Sequence, residues 1–318
     1  MNAALTTWLR KPWLGPLLAL VCVYALFAVL TPDTFLRPLN AVTMLRQTVV
    51  VSIAAAGMAL IIVHGGIDLS VGSTVALTTV VVAKCLQGGA GPGSAVLAAL
   101  ALGTLAGALN GALVVGLRIA PFIATLGTMS ALRGVAKGLA DEQKIDAPAR
   151  GIDDWMAILP GEQLLPHGVW VALLVGAACA VLLGYTRLGR HAVAVGSNEL
   201  TARLCGVPVT RVRLVIYTLG GLLAGVAGVL EFSTLTVGDP TDSVGLELEA
   251  IAAVVIGGGS LSGGQGSIAG TLLGALLLTV IKAGCTHVGM PNWIQEILTG
   301  AIIVIAMTLD RVRQTARD

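Results

Sequence analysis

Apolar runs long enough to cross a bilayer recur along the whole chain, and nothing else in the sequence restricts its fold as strongly. A hydrocarbon core about 30 Å thick takes about 20 helical residues, and backbone groups inside it must bond one another, so only helices or closed barrels cross. Such runs stand at 13–30, 48–63, 74–86, 95–117, 120–139, 169–185, 214–232, 250–256, 268–283 and 293–309. The eighth is too short to span unless it borrows Leu246 to Glu249 or is a broken helix. The expected fold is all-α: a polytopic membrane helical bundle of about ten transmembrane elements, one domain over residues 1–318.

Composition agrees. Hydrophobic residues make up 56% of the 318 and charged ones 11%, less than half the roughly 25% of a soluble domain. The 41 glycines suit helices that approach closely, and Gly103, Gly107 and Gly111 share one helical face. A net charge of +2 gives no basis for nucleic-acid binding. Cys22, Cys85, Cys179, Cys205 and Cys285 are scattered, without a C-x-x-C pair, and read as small apolar residues in or near spans. His64, His167, His191 and His287 form no cluster, so no metal site is expected.

Arg10 and Lys11 precede the first run, which is long for a signal-peptide core and is followed by Thr31-Pro32-Asp33 rather than a small-residue cleavage site. It reads as an uncleaved first span, with Asp33 to Arg46 as a short outer segment. Alternating the ten elements from an inner N-terminus puts eleven of the 19 basic residues inside: Arg10, Lys11, Arg118, Arg187, Arg190, Arg203, Arg211, Arg213, Arg311, Arg313 and Arg317. Only four of the 17 acids join them, Asp68, Glu199, Asp310 and Asp318. Excess Lys and Arg mark the cytoplasmic side, so both termini are expected in the cytoplasm. The longest outer connection, Asp141 to Gly168, carries six acids against Lys144 and Arg150, and Trp155 and Trp170 suit membrane-interface positions.

Thr186 to Arg213 is the most basic inner loop. Ser197 and Asn198 are capping residues, Glu199 suits the first turn of a helix, and Gly206 followed by Pro208 supplies a stop. A short capped helix between two spans reads as a docking piece for a soluble partner.

Leu261-Ser262-Gly263-Gly264-Gln265 spells the signature of ABC ATPase subunits. The chain has no Gly-Lys dipeptide, hence no phosphate-cradling G-x-x-x-x-G-K-[ST] loop, and the stretch reads as a turn at a membrane end. It echoes Gly65 to Gly72 at five of eight positions when paired with Gly257 to Gly264, either as an internal repeat or as a chance likeness of glycine turns. Asp68 is either an intramembrane charge with a function or, the preferred reading, the N-cap of a helix from Ser70 to Leu86. Asn110 either meets a polar solute or, again preferred, bridges helices. Glu247 and Glu249, two apart, share no helical face, and no catalytic set can be picked out.

Residues 65–73 (GGIDLSVGS), 121–129 (PFIATLGTM), 133–136 (RGVA), 196–207 (GSNELTARLCGV) and 246–264 (LELEAIAAVVIGGGSLSGG) together resemble the permease subunits of bacterial monosaccharide ABC importers, the ribose, xylose, arabinose and galactofuranose group. The likeness runs from about residue 40 to the C-terminus. It implies a BtuC-like fold in the bacterial inner membrane, a second permease copy, a tandem-module ATPase and a periplasmic sugar-binding protein. Any ATP and Mg would belong to the ATPase, with no cofactor on this chain. It makes Gly196, Asn198, Glu199, Ala202, Leu204, Gly206 and Val207 the expected coupling helix, within a coupling loop at 186–213. Asp68, Ser70, Asn110, Thr125 and Thr128 are the candidates for the translocation path. Ser197, Cys205, Val207 and Glu249 depart from the residues more usual in that family. Permeases for nucleosides or branched-chain amino acids share the architecture, and an ion-coupled secondary transporter is the remaining alternative.

Overall fold

A computed structural model describes residues 13–158 and 165–315; Arg10, Lys11, Glu162, Arg317 and Asp318 lie outside the described residues. The helices are α1 (Leu14–Leu30), α2 (Pro32–Phe35), α3 (Pro38–Val63), α4 (Val71–Gln87), α5 (Pro92–Gly116), α6 (Pro121–Leu139), α7 (His167–Tyr185), α8 (Arg187–Ser197), α9 (Glu199–Leu204), α10 (Val209–Leu235), α11 (Leu246–Ile256), α12 (Ile268–His287) and α13 (Asn292–Thr315). A helix stands at each of the ten expected positions. Five of them, α3, α5, α7, α10 and α12, are long and apolar enough to cross a bilayer, and α1, α4 and 292–305 of α13 are shorter apolar helices.

The centre of the bundle is α3. Its most apolar stretch is 83% buried, against 28% for α7 at the periphery, and α7, α10, α11 and α12 pack around it. An apolar helix buried on all sides is a core helix. The most extensive helix contact is between α5 and α10: a side-chain carbon at Gly103 would lie 2.8 Å from Gly225 Cα, and one at Gly107 2.8 Å from Gly221 Cα. The glycine stripe on α5 therefore lets two backbones touch, as its spacing indicates.

The helix at the second expected run, α3, begins ten residues early, so Asp33 to Arg46 is mostly helix rather than a short connecting segment. Pro38 opens α3, where its missing N–H costs nothing, and Asn40, Thr43 and Gln47 lie on that helix and line a cavity rather than forming a loop. The eighth element does borrow Leu246 to Glu249: it starts after Gly245 (φ 88°) and runs to Ile256. The polar stretch expected from Ser233 begins only after Leu235, where α10 ends. Outside the helices, Ile145–Asp146 and Val237–Gly238 form a two-residue antiparallel ladder, with Ile145 opposite Gly238. Lys144 Nζ stands 3.0 Å from Asp239 Oδ2 beside it. All five cysteines are free, but Cys22 and Cys205 are exposed rather than buried.

The glycine echo has a physical cause. Gly65 N–H donates to Ile62 O and Gly66 N–H to Ile61 O; Gly258 N–H donates to Val255 O and Gly259 N–H to Val254 O. Both are the same helix-ending motif, built on a left-handed glycine, which pairs Gly65 with Gly258, one residue off the sequence alignment. Gly89, Gly206 and Gly289 close α4, α9 and α12 with the same bonds. A repeat is therefore not needed to explain the likeness.

Candidate coupling and translocation sites

The loop at 186–213 is almost entirely helical. Thr186 caps α8 through Gly189 N–H, and Asn198 Oδ1 accepts from Thr201 N–H at 2.9 Å to cap α9. Ser197 is the last residue of α8, not a cap for α9, and Arg211 and Arg213 belong to α10. At the far end Gly206 (φ 81°) lets Val207 N–H reach Ala202 O. Ala202 is buried with Val195 and Val209, while Leu200 and Leu204 project outward, 68% and 81% exposed. A helix anchored by one face and apolar on the other has a surface still to be covered.

Glu199 locks this helix to the bundle. Its Oε1 accepts from Arg203 and its Oε2 from Arg213 of α10, both at 2.8 Å. The hydrogen bond from Arg213 outweighs burial and holds the carboxyl below its ordinary value. A lowered folded-state pKa gives stability that is present above the ordinary 4.5 and lost as pH falls through the lowered value. The anchorage of α9 should thus be indifferent to pH between neutral and mildly acidic conditions, a result readable as the same melting-temperature difference between wild type and Glu199→Gln at both ends of that window.

Gly196, at the end of α8, is wedged between two turns: a side chain there would overlap the Val63 carbonyl and lie 2.6 Å from Gly264 N. Gly264 N–H itself donates to Val63 O at 2.8 Å. The signature-like stretch at 261–265 is therefore a backbone packing turn tying α8 to the ends of α3 and α11.

All five candidate path residues meet at one place. Asp68 Oδ1 accepts from Ser70 N–H (2.8 Å) and Ser70 Oγ (2.7 Å). Asn110 Nδ2 of α5 donates to Ser70 Oγ at 2.8 Å and to both Asp68 oxygens at 3.3 Å. Thr128 Oγ of α6 donates to Asn110 Oδ1 at 2.6 Å, and Thr125 Oγ to Ile67 O at 3.3 Å. Each side chain is buried; Asp68, Ser70, Asn110 and Thr128 bond one another, while Thr125 bonds the backbone of Ile67 and of its own helix at Pro121, and together they tie the 64–70 turn to α5 and α6. Asn110 bridges helices, as preferred. Asp68 does not cap α4: Ser70 occupies that position, and Asp68 holds its N–H in a turn two residues on.

Sequence reasoning missed Lys282 of α12, whose Nζ pairs with Glu249 Oε1 of α11, and Arg133 of α6, which donates to Pro240 O and Asp242 O. A lone base inside an apolar run was the available signal for Lys282, since such a charge needs a partner. Glu247 instead accepts from Gly245 N–H, so the two glutamates do diverge.

Residues 40–307 match the family described as branched-chain amino acid transport system, permease component. Among curated proteins, the chain is 40% identical over 314 residues to the ribose import permease protein RbsC of Escherichia coli K12, covering 96% of this chain and 97% of that one. It is 38% identical to the ribose import permease protein of Bacillus subtilis 168, over 94% and 92% of the two chains. It is 35% identical to the autoinducer 2 import system permease protein LsrC of an Enterobacter species, over 97% and 89%. No solved structure matches the chain.

Proposed function

Because this chain belongs to the permease-component family of branched-chain amino acid transport systems, we propose that it is the membrane-spanning subunit of an ATP-driven ABC importer that carries a monosaccharide into the cytoplasm. The observation that carries the sugar reading is full-length identity to permeases named for ribose import. In this reading about ten helices cross the bacterial inner membrane in a BtuC-like bundle, with both termini and the 186–213 loop cytoplasmic. Two copies pair, a tandem-module ATPase covers Leu200 and Leu204, and a periplasmic binding protein delivers the sugar. ATP and Mg act on the ATPase; this chain supplies the coupling helix and the path.

Uptake of labelled pentoses and hexoses by cells making the permease with its ATPase and binding protein tests the reading. Uptake of a branched-chain amino acid or nucleoside and of none of the sugars would overturn it. Asp68→Asn separates it from ion-coupled transport. The new amide would turn a donor toward Asn110 Nδ2 or Ser70 Oγ, at about 1–3 kcal/mol for a buried group left unpaired, so folded permease falls in amount. Uptake by what remains is expected to withstand a protonophore while ATP is supplied, whereas a gradient-driven carrier would lose it.

A further inference from the structure

Between the first turns of α3, the start of α11 and the end of α12 lies a cavity of about 430 Å³, within the usual range for small-molecule sites. Asn40, Thr43 and Gln47 line it from one face of α3, Glu249 from α11, and Lys282 and His287 from α12. Three helices thus turn polar side chains toward an open volume at the end of the bundle opposite the 64–70 turn. The charges there are already matched, because Lys282 is paired with Glu249. Asn40 Oδ1 is bonded to His287 Nε2 at 3.0 Å. Gln47 lines the cavity and is exposed, and its amide has no hydrogen-bond partner among the described residues.

We propose that this cavity is a binding site for a neutral polyhydroxylated solute of monosaccharide size. The inference rests on the sugar-importer reading, in which this end of the bundle faces the periplasm. The chemistry selects the class. A hydroxyl both donates and accepts, so a sugar can meet the Glu249 oxygens, the Lys282 ammonium and the Gln47 amide together. An anion finds Lys282 neutralised, and a branched aliphatic side chain finds only Val51 and Ala283 as apolar neighbours in the lining.

The test is alkylation of Gln47→Cys by a membrane-permeant maleimide in vesicles containing the full importer, with residue 47 followed by mass spectrometry. The probe is a mixture of ribose, xylose, arabinose and galactose, with leucine at equal concentration as the contrast. Occupancy slows the reaction by the factor one plus the ratio of ligand to its dissociation constant, so at saturating sugar a slowing of at least about threefold is expected, with none from leucine. Less slowing than that, in an importer whose wild type takes up one of these sugars, overturns the site and leaves the importer reading standing. Equal slowing by leucine overturns the assigned solute class. A wild type that imports none of the four overturns the importer reading itself. If Gln47→Cys fails to insert, Thr43→Cys on the same face carries the measurement.

Discussion

Gly107→Val is expected to remove most folded permease from the membrane. A side-chain carbon at Gly107 would overlap the Tyr217 carbonyl and sit 2.8 Å from Gly221 Cα, and one at Gly221 would sit 2.6 Å from Gly107 Cα. Both neighbours are backbone, so neither yields unless α5 and α10 separate. Overpacking a core costs about 1–3 kcal/mol where side chains can shift; a backbone-on-backbone overlap belongs at or above the top of that range, a large part of a total stability of about 5–15 kcal/mol. Separation would also pull Asn110, one turn further along α5, away from Asp68 and Ser70. Gly111→Ala should be far milder, because its nearest neighbours, a Leu214 methyl carbon at 3.1 Å and Leu214 Cα at 3.2 Å, need to give by only a few tenths of an ångström. Gly134→Ala meets nothing within 4 Å and should be neutral or stabilising by up to about 1 kcal/mol through helix propensity. Fluorescence-detected size exclusion with a melting step ranks the three; a Gly107→Val protein melting with the wild type would refute the close-contact account.

That contact was legible in the sequence because glycines repeating every fourth residue state one helical face without knowledge of the partner. The Asn198 cap, the Gly206 stop and the borrowed start of α11 were legible for the same reason, each being decided within a few residues. What was hidden depends on elements distant in sequence. The first turns of α3 look like a loop because Asn40, Thr43 and Gln47 are polar, and only the fold shows that they face a cavity. Ser197 is as good a cap as Asn198 on paper, but α8 runs through it and leaves the position to its neighbour. The five path candidates were chosen one at a time as polar residues on or beside spans; that four of them bond one another across three segments, with Thr125 on the Ile67 carbonyl, follows from packing, which periodicity does not encode. Lys282 went unnoticed although Glu249 was in view, since 33 residues separate the two.

Glu199→Lys is expected to leave the permease inserted and to cut sugar uptake at least about tenfold, a change that needs only about 1.4 kcal/mol in the coupling equilibrium. In the wild type one carboxylate holds Arg203 on its own helix and Arg213 on α10. Reversing its sign gathers three cations where there was a bridge, and sets a positive charge at the helix N-terminus, where the dipole disfavours it. Stability should fall modestly: the exposed Glu199–Arg203 pair contributes about 0–1 kcal/mol, and Arg213, 21% exposed, loses its carboxylate partner. The Asn198 cap and buried Ala202 still form α9, so what is lost is its fixed attitude to α10, the connection through which a movement of the exposed Leu200 and Leu204 would reach the bundle. Basal ATP hydrolysis by the partner subunit should persist without sugar uptake. Gly206→Val acts on the same helix differently: nothing lies within 4 Å of the added carbon, but φ of 81° is a conformation that a β-branched residue rarely adopts, so the stop frays and coupling weakens. Normal uptake in both variants would refute the role assigned to α9. Combining Glu199→Lys with Arg213→Glu re-forms the bridge with reversed polarity and should recover part of the uptake, and the size of that recovery in a double-mutant cycle measures how much of the coupling runs through this pair.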